Sequence, residues 1–263
     1  MGDVIRELGK RPLGDTGLEV SRLALGTVKF GRTEGLRYPR GFTIPEMGQL
    51  DQLLGLAADL GVNLLDTAPA YGDSEHKLGR LLASRRDQFM ICTKVGEEFE
   101  NGRSTFDFSP AHTRRSVERS LRRLRRDVLD IVLVHSDGRD EEIARTSGAL
   151  ETLDELRQAG TIRAYGMSTK APSGARLALE RTGVAMIAWN LDDDSHADVL
   201  EEARERGKGV LIKKALASGH RPDLDQAMGT IFQRFNPATV VIGTIDPEHL
   251  KANAAGVVRA VGR

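Results

Sequence analysis

The chain has 263 residues, of which 40% are hydrophobic and 29% are charged, as in soluble globular proteins with a substantial core. Its 38 basic and 38 acidic side chains cancel, so no overall field would attract nucleic acid or an anionic membrane. A single cysteine excludes a disulfide framework and a cysteine-based metal cluster.

No apolar run approaches the ~18 residues that a membrane helix needs, and the first residues contain no apolar signal core. We therefore expect a cytoplasmic protein whose partners are small molecules, and neither nucleic acid nor a membrane. We also expect a monomer without a metal site. The one cysteine, Cys92, is expected to pack as a small apolar side chain in the barrel interior.

Paired turn signals predict a short N-terminal β-hairpin over residues 6–20. A first buried strand follows at 23–27, and residues 28–45 form a loop rich in Gly and Pro. A helix begins at Pro45-Glu46, with Pro in its first turn, and Gly61 closes it. Seven further strand–helix pairs follow, with strands at 62–66, 90–94, 131–135, 162–166, 184–188, 208–212 and 239–243, and helices at 74–84, 111–124, 141–158, 173–181, 196–206, 224–234 and 247–258.

Eight strand–helix units within about 250 residues predict an α/β fold, a TIM (β/α)8 barrel with a short N-terminal β-hairpin. The strands are apolar without polar alternation, which is typical of a parallel sheet buried on both faces. We expect one domain over residues 1–263, although a doubly wound open sheet would have the same periodicity. Polar residues favour the barrel, because they lie at or just past the C-terminal ends of strands, where barrel enzymes carry their chemistry. These residues are Asp66, Lys94, His135, Ser168, Asn190, Lys213 and Thr244.

One predicted strand ends in Asp66 and leads into a turn that contains Tyr71. Side chains alternate along a strand, so Asp66, Lys94 and His135 share the inward faces of their strands with apolar residues. A buried carboxylate needs a cationic or donor partner, and Lys94 is a candidate. An ammonium beside Tyr71 would lower the pKa of the phenol from its reference value of ~10. The set is a candidate proton donor, and His135 could hydrogen-bond a substrate oxygen.

Such a set could protonate a carbonyl oxygen, but a reduction also needs hydride, which no protein side chain donates. A nicotinamide cofactor is therefore implied. The chain has no Gly-x-Gly-x-x-Gly motif after a strand, so a Rossmann site is not expected. In a barrel, the loops after the last two strands and a helix N-terminus can hold phosphates instead. The candidates there are Lys213, Lys214, Ser218, Gly219 and Gly243-Thr244.

Several motifs together resemble the aldo-keto reductase family over nearly the whole chain. The most specific are Asp66-Thr67-Ala68-x-x-Tyr71-Gly72-x-Ser74-Glu75 and, at the ends of the next two strands, Lys94 and His135. Further matches are Leu25-Gly26-Thr27, Ser116-x-x-x-Ser120, Gly166-x-Ser168, Leu216-Ala217-Ser218-Gly219 and Ile242-Gly243.

This resemblance implies a TIM barrel that reduces aldehydes or ketones, or oxidises the corresponding alcohols, usually with NADP(H). Tyr71 would be the general acid, Lys94 and Asp66 would tune it, and His135 would orient the carbonyl. Ser168 would bind the nicotinamide carboxamide. The implied dinucleotide-binding residues are Gly26, Thr27, Asp66, Ser168, Thr169, Lys213, Lys214, Leu216, Ser218, Thr244, His249 and Asn253.

Three positions depart from the family pattern. Thr169 stands where a carboxamide-binding Asn is usual, and Met186 stands where a Gln is usual, so nicotinamide could be held differently. Ile245-Asp246 replaces the cation that often grips the 2′-phosphate. Because an acid suits a ribose 2′-hydroxyl better than a phosphate, NAD(H) is an alternative to NADP(H).

Two other functions stay open from the residues alone. A Schiff-base aldolase would use Lys94 or Lys213 at a barrel strand end as its nucleophile. A non-catalytic, dinucleotide-binding regulatory subunit would keep the barrel with negligible turnover, and Thr169 and Met186 are the residues that favour it.

Overall fold

Strands and helices alternate along the chain in the computed structural model, which describes residues 8–36, 38–220 and 223–262. The strands are β1 (Lys10–Pro12), β2 (Glu19–Ser21), β3 (Leu23–Gly26), β4 (Leu64–Asp66), β5 (Met90–Val95), β6 (Glu97–Glu100), β7 (Arg103–Phe106), β8 (Leu129–His135), β9 (Ile162–Ser168), β10 (Val184–Ala188), β11 (Gly209–Lys213) and β12 (Thr239–Gly243). The α-helices are α1 (Met47–Asp59), α2 (Ser74–Leu81), α3 (Pro110–Leu124), α4 (Asp140–Thr146), α5 (Ala149–Gln158), α6 (Pro172–Thr182), α7 (Ala197–Glu205), α8 (Leu224–Thr230) and α9 (Pro247–Val261). Within the described ranges, no helix is both long and apolar enough to cross a membrane.

Eight strands pair in parallel and close into a barrel in the order β10-β11-β12-β3-β4-β5-β8-β9. Closure distinguishes this fold from the doubly wound open sheet that the periodicity allowed. The predicted TIM (β/α)8 barrel with an N-terminal hairpin is confirmed. Because all barrel strands run in one direction, their C-terminal ends meet at one rim.

Apolar side chains form one layer inside the barrel and another between the sheet and the helices. The inner layer includes Leu64, Cys92 and Leu133. Their neighbours Leu65 and Val132 point outward and pack in the outer layer. Cys92 therefore lies in the barrel interior, as predicted, and the inward faces continue toward the polar residues at the strand ends.

The N-terminal hairpin, β1 with β2, covers the end of the barrel opposite the polar rim. Its Leu13 and Leu18 are fully buried and join the inner layer. A Cβ on Gly14 would lie 2.7 Å from the backbone nitrogen of Gly209, at the start of β11. The hairpin thus closes the lower end and leaves the upper end for function. Residues 6 and 7 of the predicted hairpin lie outside the described residues.

The predicted helix 141–158 is wrong, because the structure has two helices there, α4 and α5. Gly148 has a φ of 80°, outside the helical range, and separates them. The hydroxyl of Ser147 donates to the carbonyl of Ile143 and accepts from the backbone nitrogen of Ala149. These bonds satisfy groups at both helix ends. The predicted helix 224–234 likewise ends at Thr230, after which Ile231–Phe235 forms a π-helical turn.

A second hairpin, β6 with β7, stands between β5 and α3, where the sequence pattern predicted no strands. Its turn is Asn101-Gly102, with φ of 50° and 76°. Positive φ at both positions is the geometry that Asn-Gly favours in two-residue hairpin turns, so a turn signal was present. The flanking strands contain several charged residues and lack the apolar run by which the other strands were identified.

Leu13→Ala tests the contribution of the lower hairpin to stability. Leu13 is fully buried, so truncation removes apolar contacts and leaves a cavity. We expect the free energy of unfolding to fall by about 2–5 kcal/mol, measured by urea denaturation. Val128→Ala, at a side chain that is 40% exposed, is the control and should change it by less than about 0.5 kcal/mol. Equal effects at the two positions would contradict the role of the hairpin.

Candidate active site

A buried ion pair lies at the upper end of the barrel. Asp66 ends β4, and Lys94 is the last but one residue of β5. Lys94 Nζ donates to Asp66 Oδ1 at 2.6 Å and to the carbonyl of Thr67 at 2.8 Å. The Lys94 and Asp66 side chains are 1% and 6% exposed, so each compensates the buried charge of the other. Although burial alone lowers the pKa of Lys94, the Asp66 carboxylate and the Tyr71 phenol raise it overall.

Buried hydroxyl groups hold the turn after β4 against β3 and α2. The hydroxyl of Thr27 donates to the carbonyl of Asp66 at 2.9 Å. The hydroxyl of Ser74 donates to the carbonyl of Thr27 at 3.0 Å and accepts from that of Thr67 at 3.1 Å. The spacing from Asp66 to Ser74 in the sequence motif therefore corresponds to a connected set of hydrogen bonds.

The last residue of that motif, Glu75, supports β5 from the helix side. Glu75 is fully buried and accepts from the hydroxyl of Thr93 at 2.7 Å. Its second oxygen accepts from Arg123 Nη1 at 3.3 Å, so the carboxylate has a cationic partner. Because Thr93 precedes Lys94, this contact anchors the strand at the point where it delivers the ammonium.

Two glycines allow the Tyr71 turn to pack against the loop after β3. Gly72 has a φ of 58°, and a Cβ there would lie 2.1 Å from the carbonyl oxygen of Gly31. A Cβ on Gly31 would lie 2.3 Å from the carbonyl oxygen of Tyr71. A side chain at either position would push the two segments apart, so the close approach sets the backbone position of Tyr71.

Tyr71 lies next to the ion pair. Lys94 Nζ is 4.9 Å from the centroid of the Tyr71 ring. The His135 ring lies edge-on to the Tyr71 ring, with a centroid separation of 6.3 Å. Burial raises the pKa of the phenol to about 12, against the lowering effect of Lys94, and Asp66 adds to the rise. Lys94 thus lowers the pKa of the phenol, as predicted, but burial outweighs this effect and the net shift is upward. At neutral pH the phenol keeps its proton, which makes it a proton donor.

His135 contacts a carboxylate that the sequence did not single out. His135 Nδ1 lies 2.7 Å from Oε2 of Glu97, on the second hairpin, which is within ion-pair distance. Burial raises the pKa of Glu97, but His135, Ser104 and Arg32 outweigh it and lower the value to about 2. Burial lowers the pKa of His135, and Glu97 opposes part of that effect. An ionised Glu97 therefore faces a neutral imidazole at neutral pH.

Glu97 is held in place from two sides. Ser104, on the facing strand, donates its hydroxyl proton to Glu97 Oε1 at 2.6 Å. Arg32 Nη1 lies 3.9 Å from the same oxygen and donates to the carbonyl of Ala70 at 3.1 Å. Its guanidinium also stacks on the ring of Phe99, 3.3 Å from the centroid. The hairpin is thereby connected to the Tyr71 turn.

A second lysine lies at the rim, on the last residue of β11. Lys213 Nζ donates to the hydroxyl of Ser168 at 2.7 Å and to the carbonyl of Thr169 at 3.0 Å. Thr169 is fully buried, and its hydroxyl has no hydrogen-bond partner among the residues that the structure describes. Met186 belongs to the inner apolar layer and offers no donor. The structure therefore brings Ser168 and Lys213 together where the sequence predicted a carboxamide site.

In the described part of the loop after β11, three residues other than glycine have positive φ: Lys214 at 60°, Ala217 at 48° and Ser218 at 58°. Such conformations cost of order 1–3 kcal/mol each and cluster at functional sites. Leu216 precedes a single 3₁₀ turn over Ala217–Gly219. The implied cofactor residues Leu216 and Ser218 are both half-buried.

The side chain of Asp246 caps the N-terminus of α9. Asp246 Oδ1 accepts from the backbone nitrogens of Glu248 at 2.8 Å and His249 at 3.4 Å. The backbone nitrogen of Asp246 donates to the hydroxyl of Thr244 at 3.0 Å. The side chain of His249 is 74% exposed, whereas Asn253, one turn later, is buried.

The loop after β3 extends across the rim to β12. Gly26 pairs with Gly243, and a Cβ on Gly243 would lie 3.3 Å from the hydroxyl oxygen of Tyr38. Lys29 Nζ lies 4.0 Å from the centroid of the Tyr38 ring. Tyr38 thus lies next to the strand end that precedes Thr244.

Glu97→Gln tests the contact with His135. Because the carboxylate raises the pKa of His135 against the effect of burial, its removal should lower that pKa further. An NMR titration of the imidazole resonances measures the change. Glu100→Gln, near the tip of the same hairpin, should leave the value unchanged. An unchanged or higher pKa of His135 in Glu97→Gln would contradict the pairing.

The comparisons with known proteins agree with this geometry. The sequence profile described as the Aldo/keto reductase family matches residues 22–234. Pyridoxal 4-dehydrogenase from Microbacterium luteolum is 30% identical over 251 residues, which cover 80% of this chain and 71% of that protein. A solved structure from Pseudomonas aeruginosa, assigned to the aldo-keto reductases, is 49% identical over 96% of both chains, with a TM-score of 0.89. The holo form of an aldo-keto reductase from Bacillus halodurans is 26% identical over 97% of this chain and 95% of that one, with a TM-score of 0.80. The chain therefore belongs to the aldo/keto reductase family and is an NAD(P)H-dependent oxidoreductase.

Proposed function

We propose that Tyr71 transfers the proton when this enzyme reduces an aldehyde or ketone, and takes it back when the corresponding alcohol is oxidised. The observation that carries the proposal is the convergence of three groups at the upper end of the barrel. These are the phenol of Tyr71, the ion pair of Lys94 with Asp66, and the imidazole of His135. Family membership supplies the reaction class, and the convergence points to the residues.

The donor groups around the rim fit a nicotinamide dinucleotide. Ser168 and Lys213 offer a hydroxyl and an ammonium to a carboxamide oxygen. The loop after β11 and the start of α9 follow the last two barrel strands, where phosphates bind in other barrels. When bound, the reduced dinucleotide supplies the hydride.

The chain's own residues would handle the proton. Tyr71 donates its phenolic proton to the substrate oxygen, and the Lys94 ammonium stabilises the phenolate that remains. Asp66 keeps that ammonium charged and fixed in position. His135, next to the phenol, would orient the substrate oxygen.

Because the pKa of Tyr71 is about 12, the proton-donor form dominates at neutral pH. Reduction should therefore be favoured there, and alcohol oxidation, which needs the phenolate, should accelerate as the pH rises.

For the cofactor, we propose a preference for NAD(H) over NADP(H). The cap of α9 already places the carboxylate of Asp246 on the backbone donors of Glu248 and His249. A 2′-phosphate at this helix start would meet that carboxylate instead of free N–H groups, whereas a ribose 2′-hydroxyl could donate to it. Lys213 is bonded to Ser168 and Thr169 and is not directed to this position.

Schiff-base chemistry, the other reaction that the residues suggested, would be an additional activity of this oxidoreductase, and Lys213 is the residue that could carry it. The pKa of Lys94 is raised, so its amine stays protonated and is a poor nucleophile. Burial and the neighbouring Lys214 and Lys94 lower the pKa of Lys213 to about 7, which would leave part of its amine neutral. Borohydride reduction in the presence of an aldehyde, followed by mass spectrometry, would trap such an adduct on Lys213. A reductase without this activity gives none.

Tyr71→Phe removes the proposed proton donor and keeps the ring. We expect the rate of carbonyl reduction, followed by loss of NADH absorbance, to fall by at least about 100-fold, while the Kd of NADH stays within about twofold. Tyr165→Phe, at a partly exposed tyrosine on β9, is the matched control and should keep its activity. Activity retained in Tyr71→Phe would refute the assignment.

Fluorescence of Trp189, the one tryptophan of the chain, can measure both dinucleotides. We expect NADH to bind more tightly than NADPH. Asp246→Asn keeps a capping side chain but removes its charge, so it should strengthen NADPH binding severalfold and change NADH binding little. NADPH binding at least about tenfold tighter than NADH in the unaltered protein would overturn the preference.

A further inference from the structure

We propose that Lys213 makes the site bind the reduced dinucleotide more tightly than the oxidised one, by holding a positive charge beside the nicotinamide ring. The inference rests on the proposed dinucleotide function and extends it to the redox state of the cofactor. The proton transfer proposed for Tyr71 does not involve Lys213.

In the part of the chain that the structure describes, the ammonium of Lys213 has no acidic partner. Both acceptors of its Nζ, the hydroxyl of Ser168 and the carbonyl of Thr169, are neutral. Among the residues that the structure describes, no carboxylate lies within ion-pair distance of Lys213 Nζ. Lys94, by contrast, is bonded directly to Asp66. Of these two ammonium groups, that of Lys94 is compensated, and that of Lys213 has a charge available to a ligand.

Lys213 lies beside the place where the nicotinamide ring would bind. Its Nζ lies one hydrogen bond from Ser168, which would bind the carboxamide. Ser168 pairs across the sheet with His135, the neighbour of Tyr71. A ring with its carboxamide at Ser168 and its reactive carbon near the phenol of Tyr71 would therefore lie beside the ammonium of Lys213. An ammonium has three donors, and two of them already have acceptors.

The two redox states of the ring differ in charge. The reduced ring is neutral, whereas the oxidised ring carries a positive charge that the ammonium of Lys213 repels. At a separation of about 6 Å in a partly buried site, such repulsion corresponds to roughly tenfold to 100-fold in affinity. An enzyme of this kind would capture the reduced cofactor and release the oxidised one readily, which favours turnover toward reduction.

The repulsion should vary with pH near neutrality. Burial, Lys214 and Lys94 lower the pKa of Lys213 to about 7, against smaller opposing effects of Asp140 and Asp66. The titratable groups that face it are Lys94, Lys214, Asp66, Asp140, His135 and His196. Below that pKa the ammonium weakens binding of the oxidised form, and above it the neutral amine does not. Affinity for NAD+ should therefore rise through this range, while affinity for NADH should change little.

The test compares the Kd of NAD+ with the Kd of NADH by Trp189 fluorescence between about pH 5.5 and about pH 9. In the unaltered protein, the Kd of NAD+ divided by the Kd of NADH should fall about tenfold as the pH rises over this range. Lys213→Met, which has no charge, should give a low ratio at every pH. Lys213→Arg, which is charged throughout, should give a high ratio at every pH and keeps the test decisive if the methionine variant does not fold.

Lys208→Met is the matched control, because Lys208 precedes the first residue of β11 and so lies at the opposite end of the barrel from Lys213. It should keep the pH dependence of the unaltered protein. A ratio that does not vary with pH in the unaltered protein, or that varies equally in Lys213→Met, would overturn the role of Lys213 alone. If NAD+ and NADH both fail to bind saturably, the same ratio is measured with NADP+ and NADPH. Failure of that pair as well would overturn the proposed dinucleotide function, and this inference with it.

Discussion

The site depends on a lysine ammonium and an aspartate carboxylate that are both almost completely removed from water. Breaking such a pair leaves one uncompensated buried charge, at a cost of about 3–5 kcal/mol. Lys94 and Asp66 avoid this cost because adjacent parallel strands deliver them to the same rim, 2.6 Å apart. The carbonyl of Thr67 satisfies a further proton of the ammonium. The hydroxyls of Thr27 and Ser74 and the close approach of Gly31 to Gly72 maintain this arrangement.

The two lysines at the rim show how a partner decides what burial does to an amine. Burial lowers the pKa of each, but the carboxylate of Asp66 reverses the effect for Lys94. Within the described residues, the acceptors of Lys213 are both neutral, and its pKa falls to about 7. The amine of Lys94 is therefore charged at neutral pH and suited to stabilise a phenolate. The other can change its charge near neutral pH and so can respond to the charge of a bound ring.

Apolar strand runs and their lengths predicted eight strand–helix units, which fitted a barrel or an open sheet, and the polar residues at the strand ends favoured the barrel. In a barrel, Asp66, Lys94 and His135 were expected to meet at one rim. The net pKa of Tyr71 could not be predicted, because burial of the phenol depends on how loops pack over the rim. Glu97 was missed because its hairpin contains several charged residues and lacks an apolar run. The Asn101-Gly102 turn was a readable signal, but nothing in the sequence indicated that the hairpin contacts His135.

A crystal structure with a bound dinucleotide tests the central claim most directly, because that claim is about where a nicotinamide ring lies relative to the buried pair. The quantity to measure is the distance from the phenolic oxygen of Tyr71 to C4 of the ring. We predict that one carbonyl group fits between the two atoms, with its oxygen next to the phenol and its carbon roughly 3–4 Å from C4. Lys94 should still be hydrogen-bonded to Asp66. A ring bound away from this rim, or a Tyr71 hydroxyl turned away from Lys94, would contradict it.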